Sequence, residues 1–188
     1  MAQPARPLRA DAARNRARVL EVAYETFAAE GLSVPIDEIA RRAGVGAGTV
    51  YRHFPTKEAL FAAVIENRMR RVIDDGDALL KSDGPGEALF TFLRSFVLQW
   101  GATDRGLVDA MAGFGIDIAS VAPDAEDAFL AVLGELLSAA QQAGTVRQDI
   151  GVPEVKAILV GCQAMEAYNS PLAERVTDVV VDGLRAPR

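Results

Sequence analysis

The sequence predicts an all-α protein with two domains, and three observations lead there. Apolar residues recur at spacings of three and four in nearly every segment, sustained period-two alternation is absent, and Gly- and Pro-bearing breaks cut the chain into helix-length pieces. Half of the 188 residues are hydrophobic while mean hydropathy is only +0.12, a balance expected of a soluble globular chain.

The elements follow in order. A first helix over about residues 12–30 gathers Val19, Leu20, Ala23, Phe27 and Ala28 on one stripe, and Gly31 supplies its stop. A short helix over 36–43 stands behind Pro35, with Ile39 and Ala40 inward and Asp37 and Glu38 at the positive end of its dipole; Gly44 ends it. A third helix begins near Ala47 and ends at Phe54, because Pro55 disfavours a helical conformation in the residue before it. Thr56 caps a longer helix to about Leu79, with Leu60, Phe61, Val64 and Ile65 inward. The segment KSDGPGE is a break. Beyond it come the strongly apolar EALFTFLRSFVLQWG, the shorter DRGLVDAMAG, and helices over about 124–143, 153–168 and 171–184. The expected domains are 1–55, with a basic N-terminal arm, and 56–188.

Charge is uneven. Through Val72 there are twelve Lys and Arg against eight Asp and Glu, a balance of +4, whereas the remainder carries eight against eighteen, a balance of −10. A basic head on an acidic body points to a polyanionic partner for the head alone. No apolar run of about 18 residues suggests a membrane span, and the basic N-terminus lacks the apolar core of a signal peptide, so the expected location is cytoplasmic. A single cysteine, Cys162, sits among apolar neighbours and reads as buried and structural. No Cys/His spacing resembles a zinc site, and the lone histidine, His53, lies in the head, which excludes a histidine-based metal site in the body; no cofactor is expected.

Two short helices separated by GVG have the size of a helix-turn-helix, whose second helix enters the major groove N-terminal end first. That end here is GAGT, where Gly46, Ala47 and Gly48 offer almost no bulk and the backbone can approach a phosphate. Thr49, Tyr51 and His53 offer hydroxyl and imidazole donors, Arg52 is the longest donor on the helix, and Lys57 adds a charge at the next helix start. Arg41 and Arg42, on the first helix of the pair, are either solvated or aimed at DNA.

The stretch SVPIDEIARRAGVGAGTVYRHFPTKEALFAAVI resembles the DNA-binding domain of the TetR family of bacterial transcriptional regulators, over about residues 14–69. The segments WGATDRGLVDAMAG and AGTVRQDI look like the subgroup with an SbtR-like C-terminal domain. The resemblance implies a double-stranded DNA operator, a small-molecule inducer and a homodimer as partners, with no membrane. By position, Thr49, Tyr51, His53 and Lys57 align with the family's usual phosphate contacts, and Gly46 to Gly48 with its base-facing start. The chain departs from the pattern at Gly46, where a capping serine is frequent, and at Ala47, where a longer polar side chain often sits. Arg52, a thymine-methyl contact by Ala47, or DNA shape would then carry more of the specificity.

In the body, the segment around Phe90 and Phe92 is apolar on more than one stripe and so central to its domain. By the resemblance, Phe92, Phe96, Trp100, Met111 and Phe114 are the candidate pocket residues. The last two helices carry Val155, Ile158, Leu159 and Cys162 on one stripe and Val176, Val179 and Val180 on another; by the resemblance these form the candidate dimer interface, the alternative being a helical hairpin packed within one chain. No Ser/His/Asp or paired-carboxylate constellation lies in the apolar body, so an enzyme is not expected. Gly46 and Ala47 leave open a helical ligand-binding module that has kept the fold without operator binding.

Overall fold

The computed structural model describes residues 5–100, 106–107 and 118–187, with side chains described over 11–99, 106–107 and 120–187. Of these, 5–68, 106–107 and 118–122 form one compact unit, and 69–100 and 123–187 form a second.

Three helices carry the first unit. Helix α1, Ala5–Glu30, starts earlier than its apolar stripe because the preceding Ala- and Arg-rich segment is itself a good helix former, and Pro7 is tolerated in a first turn. Its Val19, Leu20, Ala23 and Phe27 are buried, and Gly31, at φ 74°, closes it by donating to Phe27 O at 3.0 Å. Helix α2, Ile36–Ala43, and helix α3, Ala47–His53, pack against α1 and against each other. The start of α4, Lys57–Ser82, completes this core. Thr56 caps it, its Oγ1 accepting from Ala59 N–H at 3.1 Å, and Phe61 meets Phe27 edge to face at 5.7 Å. Each large side chain so buried contributes about 1.5–3 kcal/mol.

The division between the units falls inside α4, between Arg68 and Met69. In the second unit, Asp83 ends α4 by accepting from Ser82 Oγ at 2.7 Å and Thr91 Oγ1 at 2.8 Å. Helix α5, Ala88–Ser95, continues as a π-helical turn over Phe96–Trp100, a departure from the uninterrupted helix that the apolar run predicts. A short α6, Ile118–Val121, belongs to the first unit. Helices α7, Pro123–Gln142, α8, Val152–Tyr168, and α9, Ser170–Leu184, fill out the second. They bury Leu133, Leu136, Leu159 and Val181 against Leu89, Leu93 and Val97 of the α5 segment.

Chain-distant polar contacts pin this unit. Arg94 Nε donates to Asp178 Oδ1 at 2.9 Å, Lys156 pairs with Glu126, and Arg185 stacks 4.2 Å from the Phe90 ring centroid while reaching Glu87. An isolated antiparallel bridge joins Val146 to Arg185, with Ala186 N–H donating to Thr145 O at 2.9 Å. Among the described residues, no helix is long and apolar enough to cross a membrane.

Candidate nucleic-acid interface

The turn between α2 and α3 is built from backbone chemistry. Gly44 sits at φ 64°, ψ 31°, in the left-handed region; it donates to Arg41 O at 3.2 Å, and Val45 donates to Ala40 O at 3.0 Å. These two reverse bonds close α2 as a Schellman motif, and a β-carbon at Gly44 would strain it by roughly 1–2 kcal/mol. Gly46 then opens α3, its carbonyl accepting from Thr49 N–H at 2.8 Å. No side chain caps this start.

The glycines of α3 differ from Gly44. Gly46 has φ −61° and ψ 134°, which any residue adopts, and Gly48 has no positive φ. Neither has an atom within 4 Å of the place a β-carbon would occupy. Nothing among the described residues requires glycine at either position, although glycine in a helix is destabilising by roughly 0.5–1 kcal/mol relative to alanine.

Val50 and Phe54 anchor α3 from within, at 1 % and 3 % exposure, and the Arg16 guanidinium lies 5.5 Å from the Phe54 ring centroid. The opposite face is open. Gly46, Gly48, Tyr51, Arg52 and His53 are exposed, with Ala47 and Thr49 half-buried. Arg52 turns back along its own helix, donating from Nε to Gly48 O at 3.0 Å and from Nη2 to Thr49 Oγ1 at 3.1 Å. Seven of the ten residues weighed for DNA in the sequence thus share α3 and its entry.

The other three stand differently. Arg42 donates to both oxygens of Glu30 on α1 and to Glu38 Oε1 at 2.8 Å, so it clasps α1 to α2. Arg41 holds the same Glu38 from Nε and Nη2 at 2.8 and 2.7 Å. These hydrogen bonds, Arg41's first, bring the Glu38 carboxyl down to about 2, and Arg42 likewise holds Glu30 below its ordinary range. Lys57 Nζ donates to Leu32 O at 2.9 Å and Ser33 O at 3.1 Å, tying the turn after α1 to the start of α4. These partners lie 12 and 25 residues away, beyond the reach of a local reading.

In the second unit, Phe92 and Phe96 form a cluster with Phe129 of α7, the three ring centroids 5.3 to 6.3 Å apart. Phe92 is buried and Phe96 half-buried. Phe129 was not foreseen, yet its helical spacing with Val132, Leu133 and Leu136 marks the inward face of α7. The Trp100 side chain, Met111 and Phe114 lie outside the described residues.

The interface candidates separate into two groups. Val155, Leu159 and Cys162 are 0, 2 and 6 % exposed within their own chain, so they have almost no surface to give a partner and belong to the core. Burial also pushes the Cys162 thiol up, away from thiolate chemistry. Ile158, Val176 and Val180 are half-buried, while Val179 is 67 % exposed. Val160 and Tyr168 on α8 and Leu172 on α9 are also exposed, at 57, 89 and 48 %. Helix α8 is apolar on two sides, and periodicity alone picked the inner one.

Residues 19–64 match bacterial regulatory proteins of the tetR family, and residues 84–186 match the C-terminal domain of SbtR-like transcriptional regulators. The structure of the TetR transcription regulatory protein from Mycobacterium vanbaalenii is 63 % identical, covering 96 % of this chain and 100 % of that one, with a TM-score of 0.76. A TetR transcriptional regulator from Streptomyces coelicolor is 35 % identical over 92 % of this chain and 99 % of its own, with a TM-score of 0.71. The HTH-type transcriptional regulator SrpR of Pseudomonas putida is 43 % identical over 65 residues, 34 % of this chain and 30 % of SrpR. The chain spans about a third of the length of the curated relatives it matches.

Proposed function

The chain belongs to the TetR family of bacterial transcriptional regulators, with an SbtR-like C-terminal domain, and from that premise we propose a homodimeric repressor that occupies a pseudo-palindromic operator and leaves it when a small molecule binds. It is a regulator of transcription and not an enzyme. Residues 1–55 are assigned to operator binding, and 56–188 to ligand binding and dimerisation.

The observation that carries the DNA-binding part is the bareness of α3. Two glycines with ordinary dihedrals and open space beside them are explained by a partner outside the chain whose backbone must come close. Tyr51, His53 and the Thr49 hydroxyl flank that bare surface as phosphate donors. The exposed apolar side chains on α8 and α9 support the dimer, which a single short recognition helix also requires for selectivity. The Phe92, Phe96 and Phe129 cluster, beside a π-helical turn of a kind frequent at functional sites, is the favoured lining of the effector site. Release is linkage: a ligand shifts the equilibrium only by its preference for the state whose recognition helices miss the operator spacing. Helix α4, with residues in both units, is the proposed carrier of that movement.

The test is selection of bound DNA from a random pool by the full chain, followed by titration across salt. The expected result is an inverted repeat with half-site centres about one helical turn or a multiple apart, and affinity falling about 10³-fold or more between 50 and 200 mM salt. Enrichment of no sequence would remove operator binding and leave the helical ligand-binding module.

A further inference from the structure

The groove-entering end of α3 carries little side-chain chemistry of its own: Gly46 and Gly48 offer none, and Ala47 offers a methyl. One guanidinium is delivered there from elsewhere. Arg52 is rooted in the last turn of α3, but its two hydrogen bonds, to Gly48 O and Thr49 Oγ1, draw its head back by a full turn. Side chains on a helix lean toward its N-terminus, and these two bonds fix that lean for Arg52.

The geometry of the fork matters as much as its place. The bonds engage Nε and Nη2, the side edge of the guanidinium, and leave the Nη1/Nη2 end edge for an external pair of acceptors. Both acceptors on the helix are neutral, so they do not compensate the charge. The neighbouring cations differ: Arg41 and Arg42 answer to the carboxylates of Glu38 and Glu30, and Lys57 to two turn carbonyls. Thr49 Oγ1 accepts from Arg52 and keeps its own O–H for a phosphate.

Resting on the operator-binding reading above, we propose that Arg52 is the specificity-determining residue of α3, and that its Nη1/Nη2 edge donates to O6 and N7 of one guanine in each half-site. Guanine is the base whose major-groove edge presents two acceptors side by side at the spacing of that fork. Pre-orientation by Gly48 O and Thr49 Oγ1 lowers the rotamer freedom that an exposed arginine loses on binding.

The experiment repeats the random-pool selection with the full-length wild type, Arg52→Ala and Arg52→Lys, the last keeping the charge without the planar fork. The wild type is expected to prefer guanine at one position per half-site by about 10- to 100-fold. Arg52→Ala should flatten that position and leave the others, and Arg52→Lys should weaken it. Replacing that guanine by 7-deazaguanine, which removes the N7 acceptor, should lower wild-type affinity and leave Arg52→Ala unaffected. Arg52→Ala with unchanged base preferences, uniformly lower affinity and a salt slope smaller by about 1 would make Arg52 a phosphate contact and overturn the proposal. A wild type that enriches no sequence sinks the operator reading itself, which separates the two failures.

Discussion

Glycine serves opposite ends in the two units. At Gly48 in α3 a β-carbon would meet nothing within 4 Å, whereas at Gly76 in α4 it would stand 3.2 Å from Val132 Cγ1 and 3.3 Å from Phe92 Cε2. Both glycines are helical and neither has a positive φ. One is small for a neighbour already present, in the aromatic cluster of the second unit. The other has no neighbour within reach for which to be small. The same contrast runs through the surfaces: α3 presents Tyr51, Arg52 and His53, while α8 and α9 expose Val160, Leu172 and Val179. A polar, bare face fits a polyanion, and an apolar face fits a protein.

The largest expected effect tests the apolar face. Val179→Asp would bury an unpaired carboxylate in the proposed interface, at a cost of several kcal/mol in order of magnitude, so the dimer should weaken at least about 100-fold. Because Val179 is 67 % exposed in the chain alone, the monomer's thermal unfolding should change little. Sedimentation velocity reads the first effect and calorimetry the second. An intact dimer would move the interface off this face.

The two glycines come next, and their signs differ. Gly76→Ala overpacks against Val132 and Phe92 and should destabilise by about 1–3 kcal/mol, partly offset by the better helix propensity of alanine. Gly48→Ala should stabilise by up to about 1 kcal/mol and yet weaken DNA binding. Urea unfolding of both variants, paired with operator titration, separates them. Equal destabilisation by the two substitutions would erase the distinction between inward and outward smallness.

The smallest effect concerns the clasp between α1 and α2. Glu38 titrates at about 2 in the folded chain, held down by hydrogen bonds from Arg41 and then Arg42. A depressed carboxylate stabilises the fold above its ordinary range near 4.5, and that contribution is lost as pH falls toward 2. Glu38→Gln should therefore be slightly less stable than wild type at neutral pH, with the gap closing between about pH 4.5 and 2. Thermal melts at stepped pH give the gap directly. A constant difference across that range would mean that Glu38 acts through packing rather than charge.

Much of the head was legible because its punctuation is local. Gly44 closes α2 through bonds to Ala40 and Arg41, Pro55 follows directly on α3 and its C-cap Phe54, and Thr56 caps α4 across three residues. The body was legible in its helices but not in their rotation. Helix α8 is apolar on two sides, and its neighbours in the fold turned Val155, Leu159 and Cys162 inward while Val160 faced out.

The sequence by itself determined where the short helices of the head start and stop, since those choices depend on φ restrictions and hydrogen bonds within about one turn. Tertiary structure alone decided the chain-distant partners. Arg42 reaches Glu30 across 12 residues, Lys57 reaches Leu32 across 25, and Val146 pairs with Arg185. Such contacts follow from how packed elements approach one another, and hydrophobic periodicity carries no information about which ionic groups that approach brings within 3 Å.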